Sequence, residues 1–237
     1  MRPARRPILC YVTDGRSLEA AQAASDPAAG EQALSVRVRL LQDSIRRVAA
    51  AGIDWIQIRE KDLEARSLVE LVRLAVAEAR SASTKVLVND RLDVALAAGA
   101  AGVHLGENSL HVETVSEWRR FAGRLDFRIG VSCHSSDSAR AAERGGADYI
   151  LFGPVFATPS KASFGPPQGI ERLREVCAAV EIPVLAIGGV NAENVVACIT
   201  AGAAGIAAIR LVQDVRNSEE LARVLGKLKA WARGGGG

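Results

Sequence analysis

Gln57, Arg59 and Lys61 stand at every second position of Gln57-Ile58-Arg59-Glu60-Lys61, directly after the apolar run Ile53-Asp54-Trp55-Ile56. Alternate residues of an extended strand share a face, so an amide and two cations converge on one spot, and buried cations require an anion. Charges that protect an edge strand from aggregation would give the same pattern. This segment alone does not separate the two readings. Further apolar runs also close on polar residues or glycines, at Asn89-Asp90, at Ser132 with His134, at Thr158 with Ser160 and Lys161, and at Gly188-Gly189. That recurrence favours a shared site.

Each of these residues has a chemistry and a plainer alternative. Asp90 can bind a hard cation such as Mg2+, which takes one or two carboxylates plus substrate phosphate oxygens, or it can cap a helix starting near Arg91. Gly188-Gly189 lets backbone N–H groups approach a phosphate. Arg210 interrupts Ile206-Ala207-Ala208-Ile209 and can clamp that phosphate or pair with Asp214. His134, in Ser132-Cys133-His134-Ser135, can move protons near neutral pH or serve as a cap or loop-packing residue. His104 reads as a hydrogen-bonded structural histidine and His111 as a surface one.

Positioning these groups falls to alternating strands and helices. Strands are expected at Ile8–Asp14, Trp55–Glu60, Val86–Asp90, Val103–Gly106, Phe127–His134, Tyr149–Phe156, Val184–Gly189 and Ile206–Val212, with helical apolar spacing between them, as in Leu68, Leu71, Val72, Ala75 and Val76. Strict alternation implies a parallel sheet with right-handed crossovers, and eight units imply a closed (β/α)8 TIM barrel. Glycines at helix ends recur before every second strand, in Ala51-Gly52-Ile53, Ala98-Gly99-Ala100, Gly145-Gly146-Ala147 and Ala201-Gly202-Ala203. In such a barrel the active site lies at the C-terminal strand ends, where the polar residues fall.

One domain is expected over residues 1–237, with a barrel core of about 8–232 and a disordered tail at 234–237. Two stretches, Ser17–Ala33 and Ala157–Gly169, exceed ordinary connections and are candidate lids over the site. The net charge of +3, with Lys and Arg mixed among Asp and Glu, implies no nucleic-acid partner. The basic start Met1–Pro7 is followed by an apolar run too short for a signal-peptide core, and no stretch reaches the length of a membrane span. A cytoplasmic protein is expected, and a homo-oligomer is compatible with the sequence. The four cysteines lie far apart and read as reduced packing residues.

Six motifs in order, Gln57–Lys61, Val88-Asn89-Asp90-Arg91, Gly102-Val103-His104-Leu105-Gly106, Gly130-Val131-Ser132-Cys133-His134, Gly153–Lys161 and Ala186-Ile187-Gly188-Gly189, resemble the thiamine-phosphate synthase/TenI superfamily. The resemblance implies a transferase that joins hydroxymethylpyrimidine diphosphate to thiazole phosphate, giving thiamine phosphate and pyrophosphate. It also implies the site. Gln57, Arg59, Lys61 and Asn89 would bind the diphosphate, Asp90 would carry Mg2+, and Ser132 and Lys161 would hold the leaving pyrophosphate. Thr158 and Ser160 would lie on the thiazole phosphate side, with backbone contacts from Gly188.

The end of the fourth strand departs from the pattern. Synthases read Gly-Gln-Glu/Asp-Asp there, with the last residue a second metal carboxylate, whereas this chain reads Gly106-Glu107-Asn108-Ser109. Glu107 is the candidate replacement ligand. Arg210 and the wording Leu151-Phe152-Gly153-Pro154-Val155-Phe156 lean towards the TenI branch, in which some members are thiazole tautomerases that use a histidine, matched here by His134. The leading expectation is a synthase; a tautomerase is the alternative, and a non-catalytic ligand-binding barrel the second alternative.

Overall fold

The structure is a computed structural model that describes residues 6–25, 33–106, 108–158, 166–215 and 217–234. Its strands are β1 (Ile8–Val12), β2 (Trp55–Ile58), β3 (Lys85–Asn89), β4 (Gly102–Leu105), β5 (Arg128–Cys133), β6 (Tyr149–Phe152), β7 (Val184–Ile187) and β8 (Gly205–Ala208). They pair in parallel, each with the next, and β8 pairs with β1 to close the barrel. The helices are α1 (Gly15–Ser25), α2 (Ala33–Ala50), α3 (Ala65–Ala79), α4 (Leu92–Ala98), α5 (Val112–Phe121), α6 (Ser136–Arg144), α7 (Gly169–Ala179), α8 (Val195–Thr200), α9 (Arg210–Gln213) and α10 (Ser218–Gly234). The (β/α)8 barrel is therefore as expected.

Both faces of a parallel barrel are covered, so its strands are almost uniformly apolar. Outward-facing Tyr11, Ile56, Val88 and Ile150 join the core shared with the helices. Inward-facing Cys10, Val12, Trp55, Leu87, Leu151 and Leu185 form a second core inside the barrel. Period two becomes visible only where polar groups enter the interior, at Gln57, His104 and Ser132 in register with Leu87, Asn89 and Leu151. Gly52, Gly99, Gly146 and Gly202 all have left-handed φ, between 70° and 103°, in front of β2, β4, β6 and β8. The two-unit repeat is real.

Several strands are shorter than expected. β6 stops at Phe152 rather than Phe156, because Pro154 has no N–H for the ladder. β8 stops at Ala208 rather than Val212; the apolar residues beyond it lie in α9, which buries Val212. β1 stops at Val12, two residues before Asp14. The Ser17–Ala33 stretch is not an irregular lid where described, since α1 occupies Gly15–Ser25; residues 26–32 lie outside the described residues, as do 159–165 of the other candidate lid. Gly234 closes α10, and the expected tail beyond it also lies outside them. Among the described residues, no helix is long and apolar enough to cross a membrane. Burial pushes the Cys10 thiol up to about 12, so it stays protonated and packs as an apolar residue.

Candidate active site

At the C-terminal mouth of the barrel a chain of polar contacts links three strand ends. Gln57, buried on β2, donates from Nε2 to Oδ1 of Asn89 at 3.1 Å, and Asn89 donates from Nδ2 to Oδ2 of Asp90 at 2.8 Å. The same Asp90 oxygen lies 4.0 Å from Nζ of Lys61. Oδ1 of Asp90 accepts the Gly106 amide at 3.2 Å and the hydroxyl of Ser109. These contacts bear on the helix-cap alternative for the carboxylate. It does not cap α4, whose N-cap is Arg91 with no side-chain cap bond; it faces the mouth from a backbone with φ 62°, a conformation Asp tolerates better than most residues.

Arg59 and Lys61 lie beyond the end of β2, in the loop that follows, so strand alternation does not extend to them as expected. Gln57 is buried, whereas the Lys61 side chain is 63% exposed. What holds the two cations in place is the loop itself. The Arg59 amide donates to Thr13 Oγ1 at 2.9 Å, Glu60 accepts the Gly15 amide at 3.1 and 3.2 Å, and Asp62 pairs with Arg37 at 2.7 Å and Arg16 at 3.2 Å. Burial raises the Glu60 carboxyl above its ordinary value, opposed by bonds from Thr13 and Gly15. Arg59 is half-buried and makes no side-chain hydrogen bond or ion pair among the described residues. A half-buried cation of that kind is suited to an anion from outside the protein.

Deeper in the barrel, Ser132 Oγ lies 2.9 Å from Nε2 of His104, and His104 Nδ1 lies 3.1 Å from the Tyr149 hydroxyl. His104 is thus the hydrogen-bonded histidine expected, and it sits directly beneath a site residue. His134 bonds through Nδ1 to the Gly153 carbonyl, joining the ends of β5 and β6; because a carbonyl only accepts, Nδ1 carries the proton. The cap of α6 is Ser135, in a capping box with Ser138, so His134 is not the cap. His111 is exposed.

On the other side of the mouth, Gly188 and Gly189 have φ 90° and 66°, and a Cβ on Gly188 would lie 2.5 Å from Pro154. The pair is required by the close approach of the loop after β6, where the Phe156 amide bonds to Gly188 O at 3.0 Å. Thr158 is half-buried in that loop, and exposed Arg210 opens α9. No Arg210–Asp214 ion pair forms among the described residues, so the rim-pair alternative has no support. Glu107, Ser160 and Lys161, all expected at the site, lie outside the described residues.

Residues 31–212 match the family model described as thiamine monophosphate synthase. The thiamine-phosphate synthase of Moorella thermoacetica is 43% identical over 190 residues, covering 80% of this chain and 89% of that protein. The chain belongs to the thiamine monophosphate synthase family. The thiamine-phosphate synthase of Roseiflexus castenholzii is 37% identical over 223 residues, 94% of this chain and 88% of that protein. Among solved structures, the thiamine phosphate pyrophosphorylase of Pyrococcus furiosus superposes with a TM-score of 0.77 at 30% identity, covering 98% of this chain and 99% of that one.

Within this member of the thiamine monophosphate synthase family, the described site residues fall at the C-terminal ends of the strands or in the loops that follow them. Two contributors were not anticipated from sequence. Ser109 contacts the Asp90 carboxylate, and Tyr149 supports His104 from inside the barrel. Tyr149 could have been found from strand parity, since it opens β6 in register with Gly130, two residues before Ser132 on β5.

Proposed function

We propose that this protein is a thiamine-phosphate synthase that joins hydroxymethylpyrimidine diphosphate to thiazole phosphate. The observation that carries the reading is the set of cations at one mouth, Arg59 and Lys61, beside the Gln57–Asn89–Asp90 chain. In the reaction the C–O bond to the diphosphate breaks, and the leaving group departs with the electron pair. The thiazole nitrogen supplies the pair that forms the new C–N bond. No protein nucleophile is required. Charge builds on the leaving diphosphate, where fixed cations and hydroxyl donors stabilise the transition state more than the ground state. Arg59, Lys61 and Ser132 hold that diphosphate with Lys161, while Thr158, Ser160, Gly188, Gly189 and Arg210 hold the thiazole phosphate.

Asp90, with the adjoining Ser109 hydroxyl, would hold Mg2+ as hard oxygen donors alongside oxygens of the diphosphate. Glu107 is the further candidate ligand. When bound, the ion neutralises charge on the leaving group. The partners are therefore small phosphorylated pyrimidine and thiazole molecules, and the protein is expected to act in the cytoplasm.

A second reading, a thiazole tautomerase, draws on Ser109 in place of a second carboxylate and on the fixed Nδ1 proton of His134. Pyrophosphate release by purified protein separates the two. A synthase releases pyrophosphate in proportion to thiamine phosphate when both substrates are present. A tautomerase releases none, isomerises its thiazole in EDTA, and loses about 10²–10⁴-fold on His134→Gln. Binding of thiazole phosphate without either reaction would select the non-catalytic barrel.

A further inference from the structure

We infer that Tyr149 and His104 are positioning residues that fix Ser132 as a hydrogen-bond donor towards the barrel mouth. The inference rests on the proposed function only for what Ser132 donates to. The rest follows from counting protons along a buried line of polar atoms. His104 and Tyr149 are each 1% exposed. The His104 ring meets two hydroxyls and no carboxylate among the described residues, so nothing compensates a charge on it and the buried imidazole is neutral with a single N–H.

Which nitrogen bears that proton is decided by the tyrosine. The Tyr149 hydroxyl lies 3.1 Å from His104 Nδ1 and makes no other hydrogen bond among the described residues. Its ring packs edge-on to Trp55 at 4.8 Å in an interior lined by Val12, Leu87, Leu151, Leu185, Ala207 and Cys10, whose thiol is turned to the Tyr11 carbonyl. If Nδ1 carried the proton, the phenol oxygen would accept it and the phenol proton would be left unpaired among these apolar groups. A buried orphan donor biases such an equilibrium roughly tenfold or more. The phenol therefore donates to Nδ1, and Nε2 carries the proton.

Nε2 then donates to Ser132 Oγ at 2.9 Å. With that lone pair engaged, the serine proton must turn elsewhere, and Ser132 meets an anion as a donor. In the opposite tautomer Ser132 would donate to the histidine and present only lone pairs, which repel phosphate oxygens. The arrangement needs space beside β5. Gly130 is in register with both His104 and Tyr149, and a Cβ there would lie 2.0 Å from the Tyr149 ring.

Nitrogen-15 NMR of the wild-type protein tests this without reference to activity. The chain has three histidines, and His104→Gln assigns the signals. The expected spectrum at pH 6 to 8 has a protonated, pyrrole-type Nε2 and an unprotonated, pyridine-type Nδ1 for His104, with both tautomers present in Tyr149→Phe. A protonated Nδ1, or a charged ring, overturns the proposal. Kinetics supplies the second arm. Ser132→Ala should lower kcat/KM about 10²–10³-fold, and Tyr149→Phe about tenfold in wild type but less than twofold in the Ser132→Ala background. Equal losses in both backgrounds would assign Tyr149 to packing and overturn the relay. Absence of synthase activity would contradict the proposed function alone, and the NMR result would still decide the relay.

Discussion

The hydroxyl of Ser109 donates to Oδ1 of Asp90, the same oxygen that accepts the Gly106 amide at 3.2 Å. The resemblance to synthases implies a second metal carboxylate where this chain has Ser109, so the contact bears on the proposed Mg2+ site. Ser109→Asp should lower the Mg2+ concentration for half-maximal activity about tenfold, since affinity in such sites follows ligand charge. It should also lower the thermal midpoint in EDTA, where two carboxylates would face each other. A titration in which neither quantity moves would remove Ser109 from the metal side.

Arg59 has no side-chain partner among the described residues, whereas Lys61 faces Asp90 at 4.0 Å and is largely exposed. Arg59→Ala should therefore cost about 10²–10³ in kcat/KM while leaving the thermal midpoint unchanged. Lys61→Ala should follow the same pattern. Unchanged kcat/KM in either variant would count against an anion site here.

Asp90 tests backbone and charge separately. Its φ of 62° suits Asp and Asn but costs other side chains about 1 kcal/mol. Asp90→Asn should fold with near wild-type stability and lose Mg2+-dependent turnover, whereas Asp90→Ala should lose both. An Asn variant that keeps activity but melts early would make Asp90 a structural residue.

The buried His104 predicts a pH dependence of stability. Its folded value is depressed to about 3 from an ordinary 6.5, so the unfolded chain binds the proton first. Stability from this residue is intact above about 6.5 and is lost progressively as the pH falls towards 3. Denaturant midpoints of wild type and His104→Gln should converge on acidification over that range. A constant difference between them would contradict the burial argument.

Much of this was legible in the sequence because a parallel barrel writes itself as repeated apolar runs with glycine at the helix ends. Gly52, Gly99, Gly146 and Gly202 could be read directly, since few other residues hold those left-handed turns. Strand ends were not legible. Val155 and Val212 are buried like strand residues, yet one follows a cis proline and the other lies in a short helix, and hydrophobicity alone does not distinguish these states. Asn89 and Asp90 were legible as candidate site residues at a strand end, but the Gln57–Asn89 bond joins neighbouring strands and depends on register. The link from Tyr149 to Ser132 was hidden for the same reason, because its partners are 45 and 28 residues apart in the chain.

The cations and carboxylate at the mouth are proposed to promote departure of a diphosphate as a thiazole nitrogen attacks. Mass spectrometry of purified protein incubated with hydroxymethylpyrimidine diphosphate and thiazole phosphate, with Mg2+ or with EDTA, tests it most directly. The expected result is thiamine phosphate in Mg2+, with an equal amount of pyrophosphate, and none in EDTA. Thiazole isomerisation in EDTA with no thiamine phosphate under either condition would contradict it.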